Sequence, residues 1–245
     1  MARVTNADDL NAFDFSPGRR LAGKYEILQQ LGSGWEGEVY RVREMHTGIE
    51  RAAKFFYPKR NPRNRTVRFY ARKLHKLRDC SILIQYFTQE TIQVQRIPVT
   101  FLVSEYVEGE MLSALLSRQP GKRLTPFQAV HLLYTLTTGM AKIHEHREYH
   151  GDLHTDNVLV RSFGLGFDLK VVDMFHWKAP RRENIQDDIV NLIQIFHEAV
   201  GGARYYRRQP EQVKQICLGL KRSLILKRYP TARRLGEFLE TLRWG

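Results

Sequence analysis

The sequence lacks several features that would place the chain in common classes of protein. No stretch of about 18 or more apolar residues occurs among its 245 residues, which excludes a membrane-spanning helix. The N-terminal stretch has neither the basic start nor the apolar centre of a signal peptide. Only two cysteines are present, Cys80 and Cys217, and they lack the spacing of metal ligands. We therefore expect a cytoplasmic protein whose two thiols are buried.

One region is almost free of acidic residues. Between Phe55 and Ser104 the only acids are Asp79 and Glu90, and segment 59–78 is rich in lysine and arginine. The whole chain has a formal net charge of +13, which favours acidic partners such as nucleotides, an acidic protein or, alternatively, a nucleic acid. A solvated basic face is the simpler interpretation of segment 59–78, because no nucleic-acid-binding motif accompanies it.

The residues that are present predict a globular α+β protein. Hydrophobic residues make up 42% of the chain and aromatic residues 11%, enough for a substantial core. Alternating apolar positions predict two strands around a glycine cluster in 25–44, and further strands over 49–57, 81–95 and 99–107. A three- and four-residue spacing of apolar side chains predicts one helix over 67–77.

Helical patterns dominate the second half of the sequence. Thr125 and Pro126 are the residue types that begin a helix, which should continue to about residue 146. Two short strands follow. Three more helices are predicted, over 185–202, 211–227 and 231–242.

A glycine motif occupies the first predicted hairpin. The stretch LGSGWEGEVY has the pattern G-x-G-x-x-G-x-V. A dinucleotide-binding glycine turn lies between a strand and a helix, whereas this one lies between two strands, as in loops that cover nucleotide phosphates. Lys54 follows on the third strand, where an ammonium in an apolar strand needs solvent or an anion.

A polar cluster precedes the strand predicted near residue 158. It consists of His150, Asp152, His154, Asp156 and Asn157. A metal site, a polar loop without chemistry and a phosphoryl-transfer loop are the three interpretations. The two histidines have the i, i+4 spacing of zinc ligands on a helix. The glycine between them and the strand that follows argue against a helix, and so against a metal site.

The cluster resembles the catalytic loop H-R-D-L-x-x-x-N of the protein-kinase-like superfamily. Asp173 follows where that family has D-F-G, and Asp188 begins a helix as in the family. The resemblance covers roughly residues 25–242. It implies a two-lobed kinase-like fold: an extension (1–23), a β-rich N-lobe with one helix (24–104), a hinge (105–109) and a reduced helical C-lobe (110–245).

The resemblance also implies a function, which is ATP- and Mg²⁺-dependent phosphoryl transfer with Mn²⁺ as an alternative ion. Asp152 would orient the acceptor hydroxyl, Asn157 and Asp173 would bind the metal, and Lys54 would complete the catalytic set. Asp188 would brace the loop backbone, and His150 would pack beneath it. The ATP-binding residues would be Gly32, Ser33, Gly34, Gly37, Val39, Ala52, Lys54, Glu105 and Val107.

The chain departs from the family pattern at three places in its second half. Gly151 replaces the arginine of H-R-D, so control by a phosphorylated activation segment is not expected. His154 replaces a lysine or arginine, as in aminoglycoside- and choline-type kinases. The interval from Asp173 to Asp188 is short, and Met174 and Phe175 replace the Phe-Gly pair. We favour a compact bacterial-type Ser/Thr protein kinase, with a small-molecule kinase as an alternative.

The fourth departure concerns the acidic partner of Lys54. The family places a glutamate on the helix after the third strand, but here Tyr70 or Lys73 falls near that position. Glu90 is our working hypothesis for the substitute, and Glu36 and Glu38 on the glycine loop are the other candidates. Lys54 could instead be held by ATP alone, or the helix could be swung out until a partner docks. The missing glutamate also leaves a nucleotide-binding pseudokinase as a second alternative.

Overall fold

The structure, a computed structural model, describes residues 10–163, 166–174 and 180–243. They divide into two compact units. The N-terminal unit contains the described residues up to Arg78 together with Ile84–Val107, and the C-terminal unit contains Asp79–Leu83 together with the described residues from Glu108 onward. In the part of the chain that is described, no helix is both long and apolar enough to cross a lipid bilayer.

The N-terminal unit is rich in β-structure, as the sequence predicted. Its elements are β1 (Arg20–Leu21), β2 (Tyr25–Ser33), β3 (Gly37–Glu44), β4 (Glu50–Phe56), α1 (Arg65–Lys76), β5 (Tyr86–Val94) and β6 (Ile97–Glu105). The strands form one antiparallel sheet in the order β1-β2-β3-β4-β6-β5, and α1 packs against β5 and β6. The strand predicted over 81–95 begins only at Tyr86, because the residues before it form a turn.

The C-terminal unit is mainly helical. Its elements are β7 (Glu110–Met111), α2 (Leu112–Arg118), α3 (Pro126–Glu145), β8 (Val158–Phe163), β9 (Gly166–Val171), α4 (Arg182–Ala199), α5 (Gly202–Tyr206), α6 (Glu211–Cys217), α7 (Arg222–Arg228) and α8 (Ala232–Glu240). Strands β7, β8 and β9 form a small sheet, and α3 packs against α4, α8 and β9.

Local sequence explains how α3 begins. The Thr125 hydroxyl accepts a hydrogen bond from the main-chain N–H of Gln128, and the Gln128 side chain accepts one from the N–H of Thr125. This reciprocal capping box satisfies two N–H groups that a helix start leaves unpaired. The helix therefore begins where the threonine and proline predicted it.

The single helix predicted over 211–227 is wrong, because the chain forms α6 and α7 with a break between them. Leu218 and Gly219 have φ angles of 50° and 61°, in the left-handed region that an α-helix cannot contain. Helices α2 and α5 were not predicted, since each is too short to show a clear periodic pattern.

A segment before the first long strand covers one face of the N-terminal sheet. We call residues 10–21 the N-terminal strap. Phe13 and Phe15 place their ring centroids 5.8 and 5.1 Å from that of Phe55, and Phe15 also lies 5.4 Å from Tyr40. All four side chains are buried in one hydrophobic cluster. The described part of the predicted extension is therefore part of the sheet's core.

A buried carboxylate joins the strap to β3. Glu38 is only 2% exposed and accepts hydrogen bonds from the Phe13 main-chain N–H at 2.8 Å, the Tyr57 hydroxyl at 3.1 Å and the Tyr40 hydroxyl. Burial and the hydrogen bond to Glu38 raise the pKa of Tyr57 to about 12 and raise the pKa of Tyr40 as well. Because Glu38 follows Gly37 directly, the strap is tied to the strand that leaves the glycine motif.

Candidate active site

The glycine motif forms the turn between β2 and β3, and we call residues 32–37 the glycine loop. The N–H of Gly34 donates to the carbonyl of Gly37 at 2.9 Å, which closes the turn. A Cβ atom on Gly37 would lie 1.7 Å from the carbonyl oxygen of Phe55, so only glycine fits where β3 passes β4. A Cβ on Gly32 or Gly34 would meet no described atom within 4 Å. Gly37 therefore shapes the loop, while Gly32 and Gly34, like Ser33, are exposed.

Three of the expected ATP-binding side chains share the second face of the sheet. Val39 pairs directly with Lys54 across β3 and β4, and Ala52 lies two positions before Lys54 on β4. Directly paired residues, and residues two apart on one strand, point to the same side of a sheet. This side is opposite to the buried face, and the three side chains are partly exposed. The strap thus covers one face of the sheet, and Val39, Ala52 and Lys54 lie on the other.

The predicted hinge follows β6. Glu105 ends that strand, and its N–H donates to the carbonyl of Gln85 at 2.8 Å. The Arg41 guanidinium lies 4.7 Å from the centre of the Tyr106 ring. Val107 is the last residue of the N-terminal unit and is partly exposed. Glu105 is therefore the last residue of β6 that pairs with β4, and Val107 lies two residues beyond the end of the strand.

The acid that pairs with Lys54 is on the glycine loop. The Lys54 ammonium Nζ lies 3.1 Å from Glu36 Oε2, and the Tyr70 hydroxyl donates to the same oxygen at 3.0 Å. Tyr70 is on α1 and is one of the two residues, with Lys73, that the sequence placed near the position of the missing glutamate. The hypothesis that Glu90 pairs with Lys54 is wrong, because Glu90 binds Lys24 at 2.6 Å.

In the C-terminal unit, residues 150–157 form a loop whose backbone is hydrogen-bonded to a buried polar side chain. Asp188 is fully buried, and its two carboxylate oxygens each accept a main-chain N–H at 2.8 Å, from His150 and from Gly151. His144 Nε2 lies 3.1 Å from Asp188 Oδ2. Gly151 has a φ of 84°, a left-handed conformation that suits glycine. Asp188 therefore braces the loop backbone, as the sequence predicted.

His150 is a buried structural residue, also as predicted. Its Nε2 lies 2.9 Å from the carbonyl oxygen of Val172, and its Nδ1 accepts the main-chain N–H of Asp152 at 3.3 Å. A neutral ring with the proton on Nε2 satisfies both contacts. Because Nδ1 binds the Asp152 N–H and Nε2 binds the Val172 carbonyl, the imidazole connects the start of the loop to the segment before Asp173.

Asn157 is fixed through its amide nitrogen. Nδ2 donates to the carbonyl of Asp152 at 2.7 Å and lies 2.9 Å from His154 Nε2. This orientation directs the carbonyl oxygen Oδ1 away from both partners. The Asp152 side chain itself is 64% exposed, with His154 Nε2 at 3.7 Å from its Oδ2. His154 thus contacts both residues that the sequence marked for chemistry.

Strand register brings Asp173 next to Asn157. Val158 pairs with Val171 across β8 and β9, and the Val172 N–H donates to the Asn157 carbonyl at 3.0 Å. Asp173 is therefore the next residue along the chain, with an exposed side chain and a φ of 58°. A non-glycine residue in this conformation is uncommon, although aspartate adopts it more readily than most residues. Phe175, predicted to replace part of the Phe-Gly pair, lies outside the described residues.

Comparison with known proteins decides the family. Residues 25–209 match the family model of the protein kinase domain. The chain belongs to the protein kinase family. This kinase domain is 28% identical over 199 residues to a probable serine/threonine-protein kinase of Streptomyces coelicolor, and 27% identical over 159 residues to the serine/threonine-protein kinase PrkC of Bacillus subtilis. It is 32% identical over 137 residues to the tyrosine-protein kinase SPK-1 of Girardia tigrina.

These matches cover only parts of the proteins compared. They include 80%, 64% and 55% of this chain, but 28%, 23% and 26% of the three relatives in the same order. The kinase domain therefore spans about a quarter of the length of its curated relatives.

A solved structure supports the fold. The kinase domain of Mycobacterium tuberculosis PknI, as a double mutant, matches with a TM-score of 0.67 at 16% identity, covering 93% of this chain and 98% of that one. The chain thus has the mixed helix-and-sheet fold of protein kinases, with a β-rich first part and a helical second part, as the sequence predicted.

The oxygen donors of the kinase domain fit a small hard cation better than zinc. Mg²⁺ prefers carboxylate, carbonyl and water oxygens. Asp173 offers an exposed carboxylate, and Asn157 offers an amide carbonyl oxygen, since its amide nitrogen binds the loop. Among the described residues, no group of three or more His, Cys, Asp or Glu side chains is arranged to bind a metal ion.

Segment 59–78 of the kinase domain forms the basic α1 and the turns before it. Arg65, Arg68, Arg72 and Lys76 are exposed, at the three- and four-residue spacing of one helical stripe. Val67, Tyr70 and Leu74 are buried on the opposite side. This is the arrangement of a solvated basic face on an amphipathic helix.

Proposed function

We propose that this kinase domain transfers the γ-phosphoryl group of ATP to serine or threonine hydroxyls of proteins. The observation that carries the proposal is the 150–157 loop, which collects Asp152, Asn157 and the start of the Asp173 segment around Val172. Phosphoryl transfer depends on positioning and charge neutralisation rather than covalent chemistry. A loop braced by a fully buried carboxylate supports such positioning.

Each expected residue has a specific task in this proposal. Asp152 orients the acceptor hydroxyl and accepts its proton, for which an exposed carboxylate is suited. Asn157 and Asp173 hold Mg²⁺ or Mn²⁺ through oxygen atoms. The ion, when bound, neutralises charge on the phosphate oxygens.

The ATP-binding residues of the proposal lie in the N-terminal unit. Lys54 binds phosphate oxygens, and the exposed backbone of the glycine loop at Gly32 and Gly34 lets the phosphates approach without an intervening side chain. Val39 and Ala52 supply apolar contacts for the base, and the backbone at Glu105 and Val107 binds its edge.

A protein acceptor is favoured over a small molecule by the names of the relatives. The relatives cited from Streptomyces and Bacillus are named serine/threonine-protein kinases. The departures at Gly151 and His154 do not identify an acceptor by themselves, because one is a backbone adaptation and the other contacts loop residues.

Phosphate transfer with two kinds of acceptor tests this proposal. Purified protein is incubated with labelled ATP and Mg²⁺ or Mn²⁺, either with a generic basic protein or with an aminoglycoside or choline. Label on serine or threonine of the protein acceptor is the expected result. Label on the small molecule alone would identify a small-molecule kinase, and ATP binding without any transfer would identify a pseudokinase.

A further inference from the structure

A three-residue cluster surrounds the ammonium group that the proposed function uses. Lys54 and Glu36 form an ion pair whose side chains are 18% and 13% exposed. The Tyr70 hydroxyl hydrogen-bonds Glu36 Oε2 at 3.0 Å, and the Tyr70 ring centre lies 4.8 Å from the Lys54 Nζ. Tyr70 thus orients the carboxylate through its hydroxyl and attracts the ammonium through its ring. A largely buried pair of this kind is screened less by water than a surface pair.

The main chain of Glu36 is also fixed. Its carbonyl accepts the N–H of Tyr57 at 2.9 Å, which continues the β3–β4 ladder into the glycine loop. The neighbouring Trp35 ring lies 3.7 Å from the Arg60 guanidinium. These contacts hold the tip of the glycine loop against the residues that follow β4, so the carboxylate has a defined position.

The two other acids that the sequence offered as partners of Lys54 bind other groups. Glu38 accepts hydrogen bonds on the opposite face of the sheet, and Glu90 binds Lys24. Helix α1 itself contains no acid. Glu36 lies against Lys54, and the Tyr70 hydroxyl on α1 supports its carboxylate.

We propose that Glu36 positions Lys54 for the nucleotide phosphates and that Tyr70 positions Glu36. This inference rests on the proposed function. The acid that pairs with Lys54 lies on the glycine loop instead of on α1. The segment that approaches the phosphates therefore also orients the lysine. Helix α1 contributes only the hydroxyl group and the aromatic ring of Tyr70 to this arrangement.

A double-mutant cycle on nucleotide binding tests the proposal. The affinity of a fluorescent ATP analogue with Mg²⁺ is measured for the wild type, Glu36→Gln, Lys54→Met and the double variant. Glu36→Gln should weaken binding by about tenfold, because it removes a charge-assisted hydrogen bond. In the Lys54→Met background the same change should have less than about a twofold effect, since a positioning residue acts only through its partner.

Two further variants show which contacts matter. Tyr70→Phe keeps the ring but removes the hydroxyl, and it should weaken binding by about threefold to tenfold, the value of one net hydrogen bond. Glu90→Gln also removes one acid from an ion pair in this unit and should leave binding unchanged. Thermal unfolding of every variant checks that the fold is retained.

The results separate this proposal from the proposed function. Equal effects of Glu36→Gln with and without Lys54, or wild-type affinity of Glu36→Gln, would overturn the positioning role. The double-mutant cycle measures nucleotide affinity and does not depend on turnover. A protein that binds nucleotide and shows the predicted coupling but transfers no phosphate would therefore contradict the proposed function alone.

Discussion

Asp188 and His150 are joined by a hydrogen bond of 2.8 Å from the His150 main-chain N–H to a fully buried carboxylate oxygen. This bond links the first residue of the 150–157 loop to the middle of α4. The other carboxylate oxygen binds the next N–H along the chain, that of Gly151. The loop therefore owes its shape to a residue that is remote in sequence and takes no part in chemistry.

The first prediction concerns this brace. Asp188→Asn replaces an oxygen with an N–H₂ group that would face a main-chain N–H, so one buried donor loses its acceptor. The free energy of unfolding should fall by about 1–3 kcal/mol. Asp187→Asn is the matched control, because Asp187 is 50% exposed and paired with Arg222 on the surface. Its effect should stay below about 1 kcal/mol. Equal losses in chemical denaturation would contradict the bracing role.

Two glycines of the glycine loop should affect different properties, Gly37 the stability of the fold and Gly34 the affinity for ATP. Gly37→Ala places a methyl group against the Phe55 carbonyl and should lower the free energy of unfolding by about 1–3 kcal/mol. A Cβ on Gly34 meets no described atom within 4 Å, so Gly34→Ala should retain stability. Its methyl group would stand between the loop backbone and the phosphates, so ATP affinity should fall by about fivefold, roughly the value of one net hydrogen bond. Thermal unfolding and nucleotide titration of both variants provide the comparison, and a stable Gly37→Ala protein would contradict the packing argument.

The N-terminal strap should contribute strongly to stability. Phe15 is 4% exposed and contacts the rings of Phe13, Tyr40 and Phe55, so Phe15→Ala should cost about 3–5 kcal/mol. Phe87, on the same sheet, is 47% exposed, and Phe87→Ala should cost about 0.5 kcal/mol. Urea unfolding measures both. If the two variants were equally stable, the strap would not be part of the core.

The tyrosines around Glu38 should make the fold sensitive to alkaline pH. The pKa of Tyr57 is raised from 10.0 to about 12 in the folded protein, by burial and then by Glu38. The unfolded state therefore loses its proton first, so stability is complete below pH 10 and falls as the pH rises toward 12. Tyr57→Phe should reduce this decline, which unfolding at several pH values would measure. An unchanged decline would show that Tyr57 titrates normally in the fold.

The sequence predicted those parts of the site that depend on short-range patterns. The glycine turn, the strand with Lys54 and the polar 150–157 loop are each defined by residues close together in the chain. The roles of His150 and Asp188 followed from the order of motifs. The order of the motifs was sufficient to predict these roles because each motif adopts a single local backbone conformation.

The sequence could not predict contacts that depend on sheet register and curvature. Glu36 and Tyr70 are 34 positions apart and meet only because β4 places α1 beside the glycine loop. Glu90 was a reasonable candidate by position, but β6 separates its strand from β4, and the curved sheet brings it to Lys24 instead. The strap was missed because two phenylalanines in a polar segment have no periodicity. Their main-chain N–H groups bind side chains 25 positions away, Glu38 for Phe13 and Tyr40 for Phe15.

The most direct measurement is phosphate transfer from labelled ATP by Asp152→Asn and Asp156→Asn. Both aspartates are in the 150–157 loop with exposed side chains, 64% and 68% respectively, so the variants differ mainly in the proposed role of the carboxylate. Asp152→Asn should lose about 10²–10⁴-fold in turnover, as expected when a positioned base is removed. Asp156→Asn should stay within about tenfold of the wild type, because its carboxylate hydrogen-bonds the Ser113 hydroxyl and no residue of the proposed reaction. Equal activity of the two variants would contradict the assignment of Asp152 as the residue that orients the acceptor hydroxyl.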